Sequence, residues 1–152
     1  MLQQVSVHQD SSPELVAFLR SLRQNVNFTG DVSSALARRV TASSDNSIWQ
    51  QTPQAVISPR TERCICTIAE LLDQPQYRTI SMTPRGGGTS TAGQSLTDSI
   101  TLDCKRYLNS ILDYDEESKQ VHVESGVILD DVNRELAQFG VKVGPTVATS
   151  SR

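Results

Sequence analysis

TPRGGGTSTAGQSL, residues 83–96, is the stretch that decides how this chain is read. Three consecutive glycines, Gly86, Gly87 and Gly88, follow Arg85 and precede Thr89, Ser90 and Thr91. Glycine reaches positive φ at little cost and lets a ligand touch the main chain. Successive amide N–H groups in such a loop point into one concavity and make an anion site. The hydroxyls add neutral donors and Arg85 adds a fixed positive charge. A diphosphate wants this set: many donors, one cation and no bulky side chains. The competing reading is a flexible turn, which Gly-Gly-Gly alone would favour. The arginine before, the hydroxyls after and an apparent strand leading in favour the anion loop. A P-loop is excluded because no lysine follows the glycines. The Rossmann fingerprint is excluded because Thr91 stands where the third glycine would fall, and no helix follows directly.

Upstream, Ala55-Val56-Ile57 reads as a buried strand. Thr61 caps a helix to about Leu72, with Cys64, Ile68 and Leu72 on one stripe, and Pro75 stops it. Thr79 to Met82 reads as a second strand. This β-α-β order predicts a right-handed crossover between two parallel strands. Downstream, Ser99 to Asp103 alternates, with Ile100 and Leu102 on one face. Ser110–Tyr114 and Gln120–Glu124 read as an antiparallel pair around a charged turn. Val121 and Val123 face one way, His122 and Glu124 the other. Leu129, Val132, Leu136 and Phe139 mark a helix over 129–139, with Asp130 and Asp131 placed where its dipole favours carboxylates. Gly140 ends it. Val141–Val143 reads as a further strand, and Gly144-Pro145 as the turn out of it.

Ahead of residue 53, Ser12-Pro13 is an N-cap with proline at the first helical position, and Leu15, Val16, Leu19 and Leu22 continue a helix over 13–24. Asp31 reads as the cap of a second helix, with Val32, Leu36 and Val40 spaced four apart and Arg38-Arg39 on its solvated face. Thr41 to Thr52 is polar and reads as irregular, with Trp49 as an anchor packed on the next domain rather than a binding platform. The expected organisation is an N-terminal helical arm, 1–52, and a domain over 53–152.

Composition narrows the function. The chain has 152 residues, 37% hydrophobic and 20% charged, and its 14 Lys+Arg against 17 Asp+Glu give a net charge of −3. That is one domain or part of a larger one. It argues against nucleic-acid or anionic-membrane binding driven by bulk charge. No apolar run approaches the roughly 18 residues of a membrane span, so no transmembrane segment is expected. Met1 to Asp10 has neither the basic nor the apolar region of a signal peptide. Three cysteines form no framework spacing and read as reduced thiols of a cytoplasmic protein. Cys64 and Cys66 lack the second pair of a zinc site, and no other metal site is expected. His8 lies in a polar terminus and His122 alternates outward on a strand, so neither is assigned as a catalytic base. Asp113, Asp115, Glu116 and Glu117 form a solvated turn without calcium-loop spacing. Cys104 follows a strand and is expected to be partly buried, without a redox role.

Four strings together carry a resemblance: TPRGGGTSTAGQSL (83–96), DSITLDCKRYLNSIL (98–112), VHVESGVILDDVNRELAQFG (121–140) and GPTVATSSR (144–152). They resemble the start of the PCMH-type FAD-binding domain of the vanillyl-alcohol oxidase and p-cresol methylhydroxylase family. Within it they are similar to the bacterial FAD-linked 2-hydroxyacid dehydrogenases, the D-2-hydroxyglutarate and D-lactate dehydrogenases and the glycolate oxidase flavin subunit. The leader, residues 28–60, is similar to the N-terminal arm of that branch. The resemblance implies an α+β fold: the first of two subdomains, a small mixed sheet with flanking helices. It implies that Arg85, Gly86, Gly87, Gly88, Thr89 and Ser90 wrap the FAD pyrophosphate, with Gly93 and Gln94 nearby. Pro145, Thr149, Ser150 and Ser151 would run beside the flavin. Some relatives tether FAD through a histidine just after the glycines. Thr89 stands there, so the resemblance implies non-covalent FAD.

The family's next Gly-Gly-rich motif, its substrate domain and its catalytic groups do not occur within the 152 residues. The polar ending 146–152 reads as a cut, and the chain as a fragment that is inactive by itself. The expected parent is a dehydrogenase or oxidase that moves a hydride from a small D-2-hydroxyacid to FAD, with iron–sulfur clusters in its other parts. Exposed sheet edges of the fragment are expected to favour self-association. The alternatives are a non-catalytic nucleotide- or phosphate-binding module, and an interaction domain whose glycine loop is only a turn.

Overall fold

The computed structural model describes residues 11–152; His8 lies outside them. Helix α1 (Pro13–Gln24) starts where Ser12 Oγ accepts the Leu15 amide, and it buries Leu15, Phe18, Leu19 and Leu22. Strand β1 (Asp31–Ser33) and helix α2 (Leu36–Thr41) follow. Next come β2 (Ala55–Ser58) and α3 (Glu62–Leu72), which Thr61 caps by accepting the Cys64 amide. A 3-10 turn at Pro75–Tyr77 leads to β3 (Met82–Arg85) and then β4 (Ile100–Asp103). Strands β5 (Ile111–Asp115) and β6 (Gln120–Val123) form a hairpin, and α4 (Leu129–Leu136) runs into a 3-10 turn at Ala137–Phe139. The α+β class and the small mixed sheet are as expected.

The main sheet has the order β1-β2-β4-β3. Strands β2 and β3 are parallel, as β-α-β implies, but they do not touch: β4 lies between them and pairs in parallel with both. One sheet face carries Ala55, Ile57, Ile100 and Leu102, which join α1, α3 and Tyr77 in one core. The α1 residues belong to that core and β1 pairs with β2, so the arm shares both core and sheet with residues beyond 53.

The other face is polar. Register places Ser58, Asp103 and Arg85 in one row, and Val56, Thr101 and Thr83 in the next. This polarity explains two departures from expectation at α2. Asp31 caps no helix. Residues 31–33 pair with Val56–Ser58, and the Asp31 carboxylate accepts from the Tyr107 hydroxyl at 2.7 Å and pairs with Arg106 at 3.2 Å. The helix starts only at Leu36, and its polarity is inverted. Arg38 reaches Asp103 at 3.1 Å and Arg39 Nε donates to the Pro53 carbonyl at 2.6 Å, whereas Leu36 and Val40 are about half exposed. A polar sheet face docks the arginines, because the buried Ser58 and the half-buried Asp103 need donors that leucine lacks.

The last expected strand, 141–143, does not form. The Val141 amide donates to the Leu136 carbonyl and the Val143 amide to Asn133 Oδ1. Helix α4 satisfies both groups, so no ladder is needed. In the hairpin, Asp115 accepts from the Glu117 and Ser118 amides and the Ser118 hydroxyl, so its carboxylate organises its own turn. Neither face of β6 is buried. Cys104 is 6% exposed, more buried than expected, and the three cysteines are free. No helix among the described residues is long and apolar enough to cross a membrane.

Candidate cofactor site

The glycine loop leaves the C-terminal end of β3, between a parallel strand pair and the polar sheet face. That is the end at which open parallel sheets bind ligands. Among the described residues, none accepts a hydrogen bond from the amide N–H of Gly86, Gly87, Gly88, Thr89 or Ser90. Gly86 and Gly87 are exposed, and Gly88 has φ +66°. A Cβ on Gly86 would meet nothing within 4 Å. Open amides in a row beside empty space suit an anion with many acceptor oxygens.

A cleft of about 190 Å³ adjoins the loop, lined among others by Arg38, Arg85, Gly86, Gly87, Thr101 and Lys105. Three cations line it beside one carboxylate, Asp103, which Arg38 and the Ser58 hydroxyl already engage. Thr101 is fully buried and its hydroxyl has no partner among the described residues. An orphaned buried hydroxyl costs free energy, on the order of 1–3 kcal/mol, unless a ligand or water meets it. The residues present thus fit a diphosphate-bearing cofactor.

Arg85 does not extend into the open. Its Nη2 donates to the Ser44 carbonyl at 2.6 Å and its Nη1 to Ser95 Oγ at 3.3 Å. The guanidinium packs against Gly88, where a Cβ would collide with it. Its charge stays beside the loop while its donors hold the loop's shape. Ser90 is drawn the same way: its hydroxyl donates to the Asp45 carboxylate and lies 2.9 Å from Ser95 Oγ. The Ser90 amide remains open, as does the Thr89 amide.

Gly93 takes φ +78°, and its face lies against Trp49, with a built Cβ 3.4 Å from the indole. Trp49 therefore meets the second segment, as expected of an anchor, yet it stays 62% exposed. Gln94 turns inward on its own loop, accepting the Ala92 amide at 3.1 Å. The 145–152 segment reaches the glycines at its end: Arg152 backbone atoms lie 3.1 Å from where a Gly87 Cβ would stand. The Ser150 carbonyl accepts the Asp130 amide at the start of α4, and the Thr149 carbonyl accepts the Arg152 amide. Pro145 follows a cis peptide bond, and both it and Ser151 are exposed.

Sequence reading missed Ser44, Asp45 and Ser95, along with the cleft residues Thr101 and Lys105. The only local signal was SSDNS (43–47), a cluster of turn formers. There Asp45 Oδ1 accepts the Ser47 amide at 2.9 Å and Ser47 Oγ the Trp49 amide at 3.1 Å. The Ser47 side chain foremost, then the Ser90 hydroxyl, the Ser47 amide and the Ser95 hydroxyl, hold the Asp45 carboxyl down to about 2. A depressed folded pKa gives stability that is complete above the unfolded value of 3.8 and is lost as pH falls through the folded one. Emission from Trp49, the only tryptophan, is therefore expected to hold steady from about pH 7 to about pH 4 and to change toward about pH 2. A transition centred well above pH 4 would show that another group controls this junction.

Residues 53–152 match the FAD binding domain family. D-2-hydroxyglutarate dehydrogenase of Escherichia coli K12 is 41% identical over 152 residues, all of this chain and 15% of its own length. The protein of the same name from Pseudomonas putida KT2440 is 40% identical over 135 residues, 89% of the chain and 13% of its own length. The chain thus spans about a seventh of these relatives. Alkyldihydroxyacetonephosphate synthase superposes with a TM-score of 0.71 at 18% identity, over 99% of this chain and 31% of that one, a likeness of fold alone. The glycine loop, its open amides and the match over the sheet that presents them lead to one conclusion: the chain belongs to the FAD binding domain family.

Proposed function

We propose that this chain cradles the diphosphate of a non-covalently held FAD in a flavin-dependent dehydrogenase that oxidises a small D-2-hydroxyacid. The row of open amides over residues 86–90 carries the reading. When bound, FAD supplies the hydride acceptor. The residues of this chain bind and orient: amides 86–90 meet phosphate oxygens, Thr101 offers its buried hydroxyl, and Arg38, Arg85 and Lys105 set the sign of the local field. Thr149, Ser150 and Ser151 lie along the flavin side. Thr89 supplies no imidazole, which supports dissociable FAD. The substrate class is taken from the relatives' names. A cytoplasmic location is supported by the three cysteines being free thiols, and iron–sulfur clusters in other parts of the protein rest on the family resemblance alone. The open outer edges of the β5–β6 hairpin support self-association of the chain when separated.

The test has two arms. Purified full-length protein is expected to show a flavin spectrum that D-2-hydroxyglutarate or D-lactate bleaches. The 152-residue chain alone is expected to be colourless and without dye reduction, because a cofactor site needs enclosing walls and Gly86 and Gly87 lie exposed. Full-length protein that takes up no FAD would sink the proposal. A stoichiometric flavin spectrum from the short chain would show that the enclosing walls are unnecessary.

A further inference from the structure

Four contacts join the glycine loop to a segment ahead of the matched domain. The Ser90 hydroxyl donates to Asp45, the Asn46 amide donates to the Ser90 carbonyl at 3.1 Å, Arg85 donates to the Ser44 carbonyl, and Trp49 lies on Gly93. The FAD binding domain match begins at residue 53, so all four partners lie outside it.

Proton count orders the polar contacts. A serine hydroxyl has one proton to give. Arg85 Nη1 can only donate, so Ser95 Oγ accepts from it. Ser95 then donates to Ser90 Oγ at 2.9 Å, and Ser90 donates to the Asp45 carboxylate. The contact of Ser95 with Asp45, at 3.3 Å, is the longer alternative for the same proton. The chain runs from a cation to an anion, and each link polarises the next. Its length spans the loop from Arg85 to Ser95, with the five open amides between.

We infer that Asp45 is a positioning residue for the FAD diphosphate, acting through Ser90 to hold the glycine loop with its amides turned outward. The inference rests on the proposed FAD reading. It changes the role of Ser90: the hydroxyl is committed to Asp45, and only the amide faces the phosphate. Without the carboxylate, the Ser90 hydroxyl is free to rotate and to satisfy a loop amide itself, which closes the cup.

The test measures FAD dissociation constants on the apo form of the full-length protein, for wild type, Asp45→Ala, Asp45→Asn, Ser90→Ala and Asp45→Ala/Ser90→Ala. Losing a hydrogen bond to a charged group typically weakens the coupled equilibrium about tenfold or more, and that is the expected rise for Asp45→Ala. Asp45→Asn keeps an acceptor oxygen and is expected to recover most of the affinity. In the Ser90→Ala background, Asp45→Ala should add less than about twofold, since residues acting as one unit are not additive. A purely structural role would instead add in full and lower the apoprotein melting temperature alongside. Wild-type affinity in Asp45→Ala, or full additivity with Ser90→Ala, overturns the inference. If Asp45→Ala does not fold, unchanged affinity in Ser90→Ala overturns it. Wild-type protein that binds no FAD would sink the functional reading instead. The clamp is then judged by hydrogen exchange at the Asn46 amide, which Asp45→Ala must speed.

Discussion

Full-length protein carrying Gly87→Val is expected to purify without flavin, with its FAD dissociation constant raised about 100-fold or more. A valine here fills the space that phosphate oxygens need and blocks approach to at least two of the open amides. Hydrogen bonds to a charged group are worth about 1.5–3 kcal/mol each, and losing two of them gives that factor. The requirement at this position is room. Positive φ falls at Gly88 and Gly93, not at Gly87. A Cβ at 87 would come within 3.1 Å of the Arg152 backbone and 3.3 Å of the Arg152 Cβ, so the new side chain presses on the 145–152 segment where it meets the loop. Gly87 is exposed and makes no core contact, so the variant should melt close to wild type. Retained yellow colour would remove Gly87 from the site. A large fall in melting temperature would show instead that the loop supports the fold.

The largest effect on stability is expected from Phe18→Ala, a loss of about 3–5 kcal/mol. Phe18 is fully buried in α1 and meets Tyr77 edge to face, with ring centroids 5.4 Å apart. Tyr77 in turn bonds Ser21 across the same helix, at 3.1 Å. Truncation leaves a cavity where α1 packs on α3 and on the 3-10 turn that carries Tyr77. Val16→Ala, on the exposed side of the same helix, should change stability by less than about 0.5 kcal/mol. Urea denaturation followed by far-ultraviolet dichroism compares the two. Equal midpoints would mean that α1 is not part of the core.

What was legible in the sequence was whatever lies within a few residues. Ser12-Pro13 and Thr61 cap their helices through contacts three residues away, and the leucine stripe of α1 needs no distant partner. The glycine loop could be marked as a candidate anion site because three glycines stand between an arginine and three hydroxyls, although a flexible turn has the same glycines. The family strings added the cofactor. Illegible were the features fixed from across the sheet. Residues 31–33 form a strand only because Val56–Ser58 lie beside them. Helix α2 shows its arginines to the sheet because that face is polar, whereas a hydrophobic pattern read alone points Leu36 and Val40 inward. Val141–Val143 has the composition of a strand, but α4 offers acceptors first. Asp45 meets Ser90 across 45 residues of chain, and no local pattern foretells that.

The position of β4 has a consequence for how the molecule is made. It is the last strand of its sheet in sequence, yet it lies in the middle. While a ribosome is still making the glycine loop, β2 has only the three-residue β1 beside it, and β3 has no partner at all. Both present bare edges for as long as residues 86–99 take to appear, on the order of a second at about 5–20 residues per second. The sheet is complete only once Ile100–Asp103 lies between β2 and β3. Nascent chains are most open to mispairing in that interval: Pro84, which lacks an amide proton, blunts the outer edge of β3, while the edge that receives β4, through the carbonyls of Ser81 and Arg85, is left bare.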